Sequence, residues 1–510
     1  MMMRRKPRGV RTRSTVLPAP VGGWNAAVPI AEMDKDAAVE LVNFFPEERH
    51  VRLRNGYTQH ATGMGSSDIQ TLMAWHGPSS QKMKAAVGTE IYDVTNNGAV
   101  GSAEVSSLTN AKWQHCNFTT SGGQFLVCCN GADSVRNYDG SSWTTPSITN
   151  VTSSTLVHVT PHKRRLWFVQ INTTKAWYLG TEAISGAATA FDFGPLWSRG
   201  GYLVAIGSWT LDSGSGPDDF FVAVSSQGQA AVYQGTDPSS ATTWALVGVY
   251  DIPRPIGRRC IASFGGDLAI ITEVGITSMS AMMKTDESAA YGATYSAKIR
   301  GAISDAARTY RTVFGWQLIG YPKGRMAILN VPVTGTGQQQ YVMNTLTGSW
   351  CRFEGMRASC WEEMDGDLYF GAMGIVYKAD SGQSDAGAAI SWRVFGAPQH
   401  FGAPGNLKHF KMVRPIMEVT GEITPRIGIN TDYADREPSG VASFVSGSDA
   451  RWNEVRWNEF KWGGLGRIQA RWYSAGGYGT VGAVRMQGQA LNNNIKIMQF
   501  DVLYEPGHYV

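Results

Sequence analysis

The chain is 510 residues long, with 43% hydrophobic and 11% aromatic side chains and a formal charge of +4. It can bury a sizeable core, which excludes intrinsic disorder. Its longest apolar runs, such as Tyr202 to Ile206 and Leu268 to Ile271, stop far short of the ~18 residues a bilayer span needs, so no membrane span is expected. Glycine is over-represented at 59 residues and accompanies 17 tryptophans. Glycine disfavours helix and permits the positive φ of tight hairpins, whereas tryptophan and tyrosine suit pleated surfaces. The composition is mainly β.

Residues 1–16 form a basic arm: Arg4, Arg5, Lys6, Arg8, Arg11 and Arg13 stand without an acid among them. Removing those six cations leaves 39 basic against 41 acidic residues, so the rest of the chain is close to neutral and gives no support to a broad DNA-docking face. A solvated tail is the plain reading of such a run; a contact to phosphate or to an acidic partner surface is the other. Pro18, Pro20 and Pro29 interrupt the stretch from Val16 to Ala31, so no secretory signal is expected. The six cysteines (Cys116, Cys128, Cys129, Cys260, Cys351 and Cys360) contain no CxxC pair and are expected as free thiols in a reducing cytoplasm.

Residues 17–62 begin as an extended Pro-rich segment through Gly23-Trp24-Asn25. Asp34 or Asp36 is placed to cap a short helix through Ala37, Val39, Leu41 and Val42, and Val51 to Tyr57 reads as a strand entering a hairpin turn. From 63 to 380 one motif recurs with drift: an apolar strand, a Gly turn, a strand ending in Tyr, a polar turn, then often Trp. Candidate units are centred on Ala85–Asp93, Phe125–Trp143, Leu166–Leu179, Phe220–Trp244, Leu268–Ile276, Met326–Trp350 and Asp367–Tyr377. The spacings from Tyr92 to Tyr138 to Tyr178 to Tyr233 are 46, 40 and 55 residues, the range of propeller blades. The prediction is a mainly β chain with a six- or seven-bladed β-propeller; an ordinary β-sandwich or barrel pair with coincidental spacing is the competing reading. An Ala-rich stretch near 284–310, with Lys298, Ile299, Ile303 and Ala307, predicts a helical insertion broken at Gly301. Residues 381–510 read as a terminal β-domain. Within them Arg451-Trp452-Asn-Glu and Arg456-Trp457-Asn-Glu form a near-tandem repeat, with Trp462 following. Arg and Trp at that density suit a subunit interface; a Trp-rich strand packed on its own sheet is the bland alternative.

No phosphate loop, dinucleotide fingerprint, zinc-helix or nucleophile-elbow motif is present. His158 and His162 are four apart but flank Pro161 and read as a chance pair. Asp139-Gly140 resembles a sialidase turn with one residue missing, Asp365-Gly366-Asp367 is a hairpin turn, and Glu362 and Glu363 have no evident acid partner. No catalytic residue, cofactor or metal site is expected.

Together, Gly23-Trp24-Asn25, Asn43-Phe-Phe-Pro46, Arg52-Leu53-Arg54-Asn55-Gly56-Tyr57, Ser263-Phe264-Gly-Gly-Asp267 and Arg467-Ile-Gln-Ala-Arg471 resemble the tail hub, or nozzle, proteins of short-tailed bacteriophages, also called packaged-DNA stabilisation proteins. The resemblance implies a non-enzymatic virion protein made in the host cytoplasm, six copies of which form a ring beneath the portal–adaptor complex. That ring continues the DNA channel without reading sequence, retains packaged DNA and anchors tail fibres or spikes. The propeller is joined in such proteins by a β platform built from both chain ends. The alternative is a receptor-binding or glycan-cleaving tail propeller, for which the tryptophans are present and the paired acids are not evident. A cellular scaffold propeller would carry WD or kelch signatures, which are missing.

Overall fold

The computed structural model describes residues 12–212, 217–283, 294–333, 338–402, 404–444 and 467–509. The chain divides into two compact units: residues 58–341 with 356–379, and a second unit made of residues up to 57, 342–355 and 380 onward.

The first unit is a seven-bladed β-propeller. Its sheets follow in chain order. Blade 1 holds Ile69–His76, Gln81–Val87 and Glu90–Asp93, and blade 2 holds Gln114–Thr120, Gly123–Cys129, Arg136–Tyr138 and Trp143–Thr144. Blade 3 is Leu156–His162, Arg165–Gln170, Lys175–Tyr178 and Thr189–Asp192; blade 4 is Leu203–Asp212, Pro217–Ser225, Gln229–Gly235 and Trp244–Asp251. Blade 5 is Ile261–Phe264, Asp267–Thr272 and Gly275–Ser278, and blade 6 begins Gln317–Tyr321, Met326–Val331 and Gln339–Asn344. Blade 7 combines Cys360–Met364, Asp367–Ala372 and Ile375–Ala379 with Tyr57–Thr62, which lies beside its last strand. The final blade is therefore completed by a strand from before blade 1, a closure that leaves no open gap in the ring. All seven units read from the sequence correspond to these sheets.

Shared cores make the ring continuous. Trp75 and Ile91 of blade 1 pack with Leu126 and Tyr138 of blade 2; Val127 and Cys129 pack with Leu166 and Phe168 of blade 3. Trp167 and Tyr178 then meet Phe221 and Trp244 of blade 4, whose Val222 and Trp209 meet Leu268 and Ile270 of blade 5. Ile261–Phe264 lies against Gln317–Tyr321 of blade 6. In turn Gln317 grips both peptide groups of Trp361 in blade 7, donating to its carbonyl at 2.8 Å and accepting from its N–H at 3.0 Å. Met364 and Val376 close on Leu72 and Met83 of blade 1. The recurrent Tyr-turn-Trp motif is a cross-strand aromatic pair. Tyr138 stands opposite Trp143, with ring centroids 5.1 Å apart, filling the wedge between blades. Asp365 and Gly366 have φ of 54° and 73°, the positive pair a two-residue hairpin requires, as expected from sequence.

Two local expectations are corrected. Ala37–Val42 is a strand, not a helix: it pairs with Gly23–Trp24 on one side and Ile390–Gly396 on the other, and two sheet neighbours override the helix propensity of two alanines. The break expected at Gly301 falls at Ile299 (φ −118°), between a 3-10 turn Ala297–Ile299 and the helix Arg300–Tyr310, which then continues through Gly301 and buries Ile303, Ala306 and Ala307; the preceding part of the expected insertion, 284–293, lies outside the described residues.

The second unit has two facing sheets. In one, the long strands Asn406–Val419 and Ile495–Tyr509 pair antiparallel, flanked by Arg467–Ala470 and Tyr473–Gly479 on one edge and by Arg13–Pro18 and Val51–Leu53 on the other. The other contains Trp350–Phe353, Ala37–Val42, Ile390–Gly396, Gly482–Ala490, Arg426–Thr431 and Gly440–Val441. Phe44 meets Trp392 edge-on at 5.3 Å between them. The unit is thus built from both chain ends plus the middle segment 342–355.

Those three segments are tied by one buried polar knot. Arg54, 2% exposed, donates to both carboxylate oxygens of Asp385 at 2.8 and 2.7 Å, to Asn43 Oδ1 at 2.9 Å and to the Glu354 carbonyl at 2.9 Å. Asn43, held at φ 59°, donates to the carbonyls of Glu354 and Ser391 at 3.1 and 2.7 Å. Gly56 leaves no room for a side chain: a Cβ there would stand 1.9 Å from the Ser384 carbonyl oxygen. These are residues that carry the family resemblance, and here their work is structural.

Candidate functional site

The candidate interface residues Arg451, Trp452, Arg456, Trp457 and Trp462 lie outside the described residues, as do Arg4, Arg5, Lys6, Arg8 and Arg11 of the arm. Arg13 opens the strand Arg13–Pro18, in register with Tyr504; next to it Thr12 Oγ1 donates to Glu505 at 3.3 Å. His158 and His162 both face blade 4. A ring nitrogen of His158 bonds the Ile206 carbonyl at 2.9 Å and one of His162 bonds Ser208 Oγ at 2.9 Å, while burial pulls each down to about 4. They are neutral packing groups. Asp139 Oδ1 accepts the backbone N–H groups of Ser141 and Ser142 at 2.7 and 2.8 Å, a self-contained turn. Among the described residues no group of three or more His, Cys, Asp and Glu is placed to hold a metal.

The structure instead gathers charge at a place the sequence reading did not single out, the end of the propeller axis where the inner strands begin. Ile252-Pro-Arg-Pro-Ile-Gly257 brings the chain from blade 4 to Arg258 and Arg259, just before the first strand of blade 5. From there Arg259 Nη2 donates to the Gln70 carbonyl at 3.2 Å and Thr71 Oγ1 at 2.8 Å in blade 1, and to the Trp113 carbonyl at 3.0 Å beside blade 2. Arg258 Nη1 donates to the Asn130 carbonyl at 3.1 Å, also in the blade 2 segment. In a ring of seven, blade 5 is as far from blades 1 and 2 as blades can be, so these contacts run through the middle. The half-buried Phe314, following the helix Arg300–Tyr310, supplies a wall: the Arg259 guanidinium sits 4.7 Å and the Lys112 ammonium 5.5 Å from its ring centroid.

This mouth is rich in cations and poor in acids. Burial lowers the Arg258 guanidinium and pulls Arg259 to about 10, with the neighbouring Arg258 pushing the same way. Glu362 of blade 7 acts on Arg259, while its carboxylate meets a ring nitrogen of His115 of blade 2 at 3.1 Å. Among the described residues no carboxylate forms an ion pair with Lys112, Arg258 or Arg259. Burial likewise pushes the nearby thiols of Cys116 and Cys360 up to about 12, so they are not nucleophiles. The arrangement can bind charge; it offers no base–nucleophile pair. The sequence signal, legible only afterwards, is two adjacent arginines in a Pro/Gly turn entering an apolar strand.

A second concavity, of about 460 Å³, lies on the β-domain and is lined by Ser391, Arg393, Thr424, Arg426, Gln487 and Gln489, with Trp392 and Gly488. It contains no carboxylate, so it lacks the acid pair of a glycosidase.

No protein-family model matches the sequence, and a search of curated proteins finds no similar chain. Among solved structures the chain is similar to the WD40 β-propeller domain of Doa1 at 9% identity, covering 63% of this chain and 96% of that one, with a TM-score of 0.40. It is similar to YCF48 bound to D1 peptide at 11% identity (64% and 95% covered, TM-score 0.38) and to the computationally designed Ika8 protein at 10% (63% and 99%, 0.36). The propeller assignment rests on the strand order and closure described above.

Proposed function

We propose that this chain is a structural virion protein, the tail hub or nozzle of a short-tailed phage, that assembles as a ring of six beneath the portal–adaptor complex. There it continues the DNA channel, retains packaged DNA and anchors fibres or spikes. What supports the reading is the layout: a propeller carried as an insertion in a β-domain assembled from both chain ends, with Asn43, Arg54 and Gly56, residues of the resemblance, at that domain's buried knot. The role needs no catalysis, and we expect no release of reducing ends from host surface polysaccharide.

The test is assembly. Purified protein mixed with portal–adaptor particles should add a ring visible by negative-stain microscopy. Trp452→Ala with Trp457→Ala should leave the protein folded yet prevent the ring, since truncating buried interface aromatics typically costs about 2 kcal/mol or more each. Absence of a ring with the unaltered protein would sink the reading; rings from the double variant would move the interface elsewhere.

A further inference from the structure

We propose that the mouth of the propeller axis at which the inner strands begin is an oxyanion-binding site, taking a carboxylate or phosphate group between Lys112, Arg258 and Arg259 against the Phe314 ring. The inference does not depend on the function proposed above.

Three observations carry it. Arg258 and Arg259 reach across the axis to carbonyl and hydroxyl oxygens of the opposite blades, so their heads are fixed at its centre rather than free to swing into solvent. Those bonds leave most of their donors unused: Arg259 engages only Nη2, and Arg258 only one N–H of Nη1, with protein acceptors among the described residues. And among the described residues no carboxylate forms an ion pair with the three cations: Glu362, which acts on Arg259 from a distance, meets His115 instead. Arg258 and Arg259 are half-buried neighbours, and like charges drawn partly out of water repel one another unless something neutralises them. A fold that only needed to plug its axis would do so more stably with apolar side chains.

The free donors also state the ligand's chemistry. Two planar guanidinium forks and an ammonium suit the paired oxygens of a carboxylate or phosphate. A neutral ligand would leave the charge uncompensated. Phe314 adds an apolar wall shared by Arg259 and Lys112, so the anionic group fits best when carried on something larger than an ion, such as an acidic side chain of a peptide.

The test titrates the full-length protein at low ionic strength with inorganic phosphate and, separately, with tetraglutamate, read by calorimetry and by melting temperature. Saturable binding of either is expected, and Lys112→Gln and Arg258→Gln should each weaken it about tenfold or more, the scale of a charge-assisted hydrogen bond. Phosphate alone binding would identify a free-anion site, and tighter tetraglutamate would identify an acidic peptide segment. Absence of saturable binding by both probes would overturn the proposal, as would variants that bind like the unaltered protein. Lys112 makes a ring contact but no side-chain hydrogen bond among the described residues, so Lys112→Gln keeps the test sound if Arg258→Gln perturbs folding, which circular dichroism would reveal.

Discussion

Arg54 in the β-domain is closed from water and the Arg258–Arg259 pair in the propeller is half-buried, and the two guanidinium sites are completed differently. Arg54 meets Asp385 through two parallel hydrogen bonds and spends its remaining donors on Asn43 Oδ1 and the carbonyls of Asn55 and Glu354. Among the described residues the propeller pair hydrogen-bonds carbonyl and hydroxyl oxygens only, and burial depresses both groups. A cation closed on its own carboxylate is part of the scaffold. One held in place without an ion-paired carboxylate is the site proposed above to take an anion.

The sharpest way to break the comparison is at Asp385. Replacing it by Ala leaves Arg54 buried and unpaired, and removing one member of a buried pair typically costs about 3–5 kcal/mol. Urea unfolding followed by tryptophan fluorescence should show that loss. A change below about 1 kcal/mol would mean that water or a shifted side chain replaces the carboxylate, and that the knot does not hold the three segments together.

The knot also shows where sequence reading succeeds and stops. The blades were legible because an apolar strand, a glycine turn and a terminal aromatic repeat locally, and Tyr138 with Trp143 or Asp365 with Gly366 are neighbours in sequence and in space. The strand Ala37–Val42 was misread as helix because what decides it, pairing with Ile390–Gly396, comes from some 350 residues away. The axial mouth was invisible for the same reason: Lys112, Arg258, Phe314 and Glu362 lie on four separate stretches, and only ring closure collects them. Arg54 and Asn43 stand out in the sequence only as parts of the pattern that carries the resemblance, and nothing local marks their partner Asp385, some 330 residues further on.

A second, smaller effect extends the comparison to groups that avoid burying charge by staying neutral. His158 and His162 are lowered from 6.5 to about 4, chiefly by burial. Between those values the unfolded chain binds more protons, so stability is intact above pH 6.5 and falls as pH drops toward 4. For His162, which is 2% exposed, the loss should be on the order of 2 kcal/mol across that window. The lowered carboxylates, such as Asp219 and Asp133, act below it, since their ordinary value is 3.8 and the folded value lower. Urea unfolding at stepped pH should therefore slope between 6.5 and 4 and slope less in His162→Gln; identical slopes would place the titration elsewhere.

The smallest expected effect is the most discriminating. Arg258→Met removes a guanidinium that has no carboxylate partner and makes one hydrogen bond, to the Asn130 carbonyl at 3.1 Å. Losing that bond and leaving the Asn130 carbonyl unpaired costs about 1–2 kcal/mol, while removing one of two adjacent half-buried like charges offsets part of it. Without added anion the net change should stay within about 1 kcal/mol of zero, several-fold less than the cost at Asp385. With phosphate or tetraglutamate present at saturation, the unaltered protein gains more stability by mass action than the variant, whose binding is weaker, so the gap between them should open as ligand is added. A large loss in plain buffer would instead make Arg258 a structural tie like Arg54, and the contrast between the two guanidinium sites would collapse.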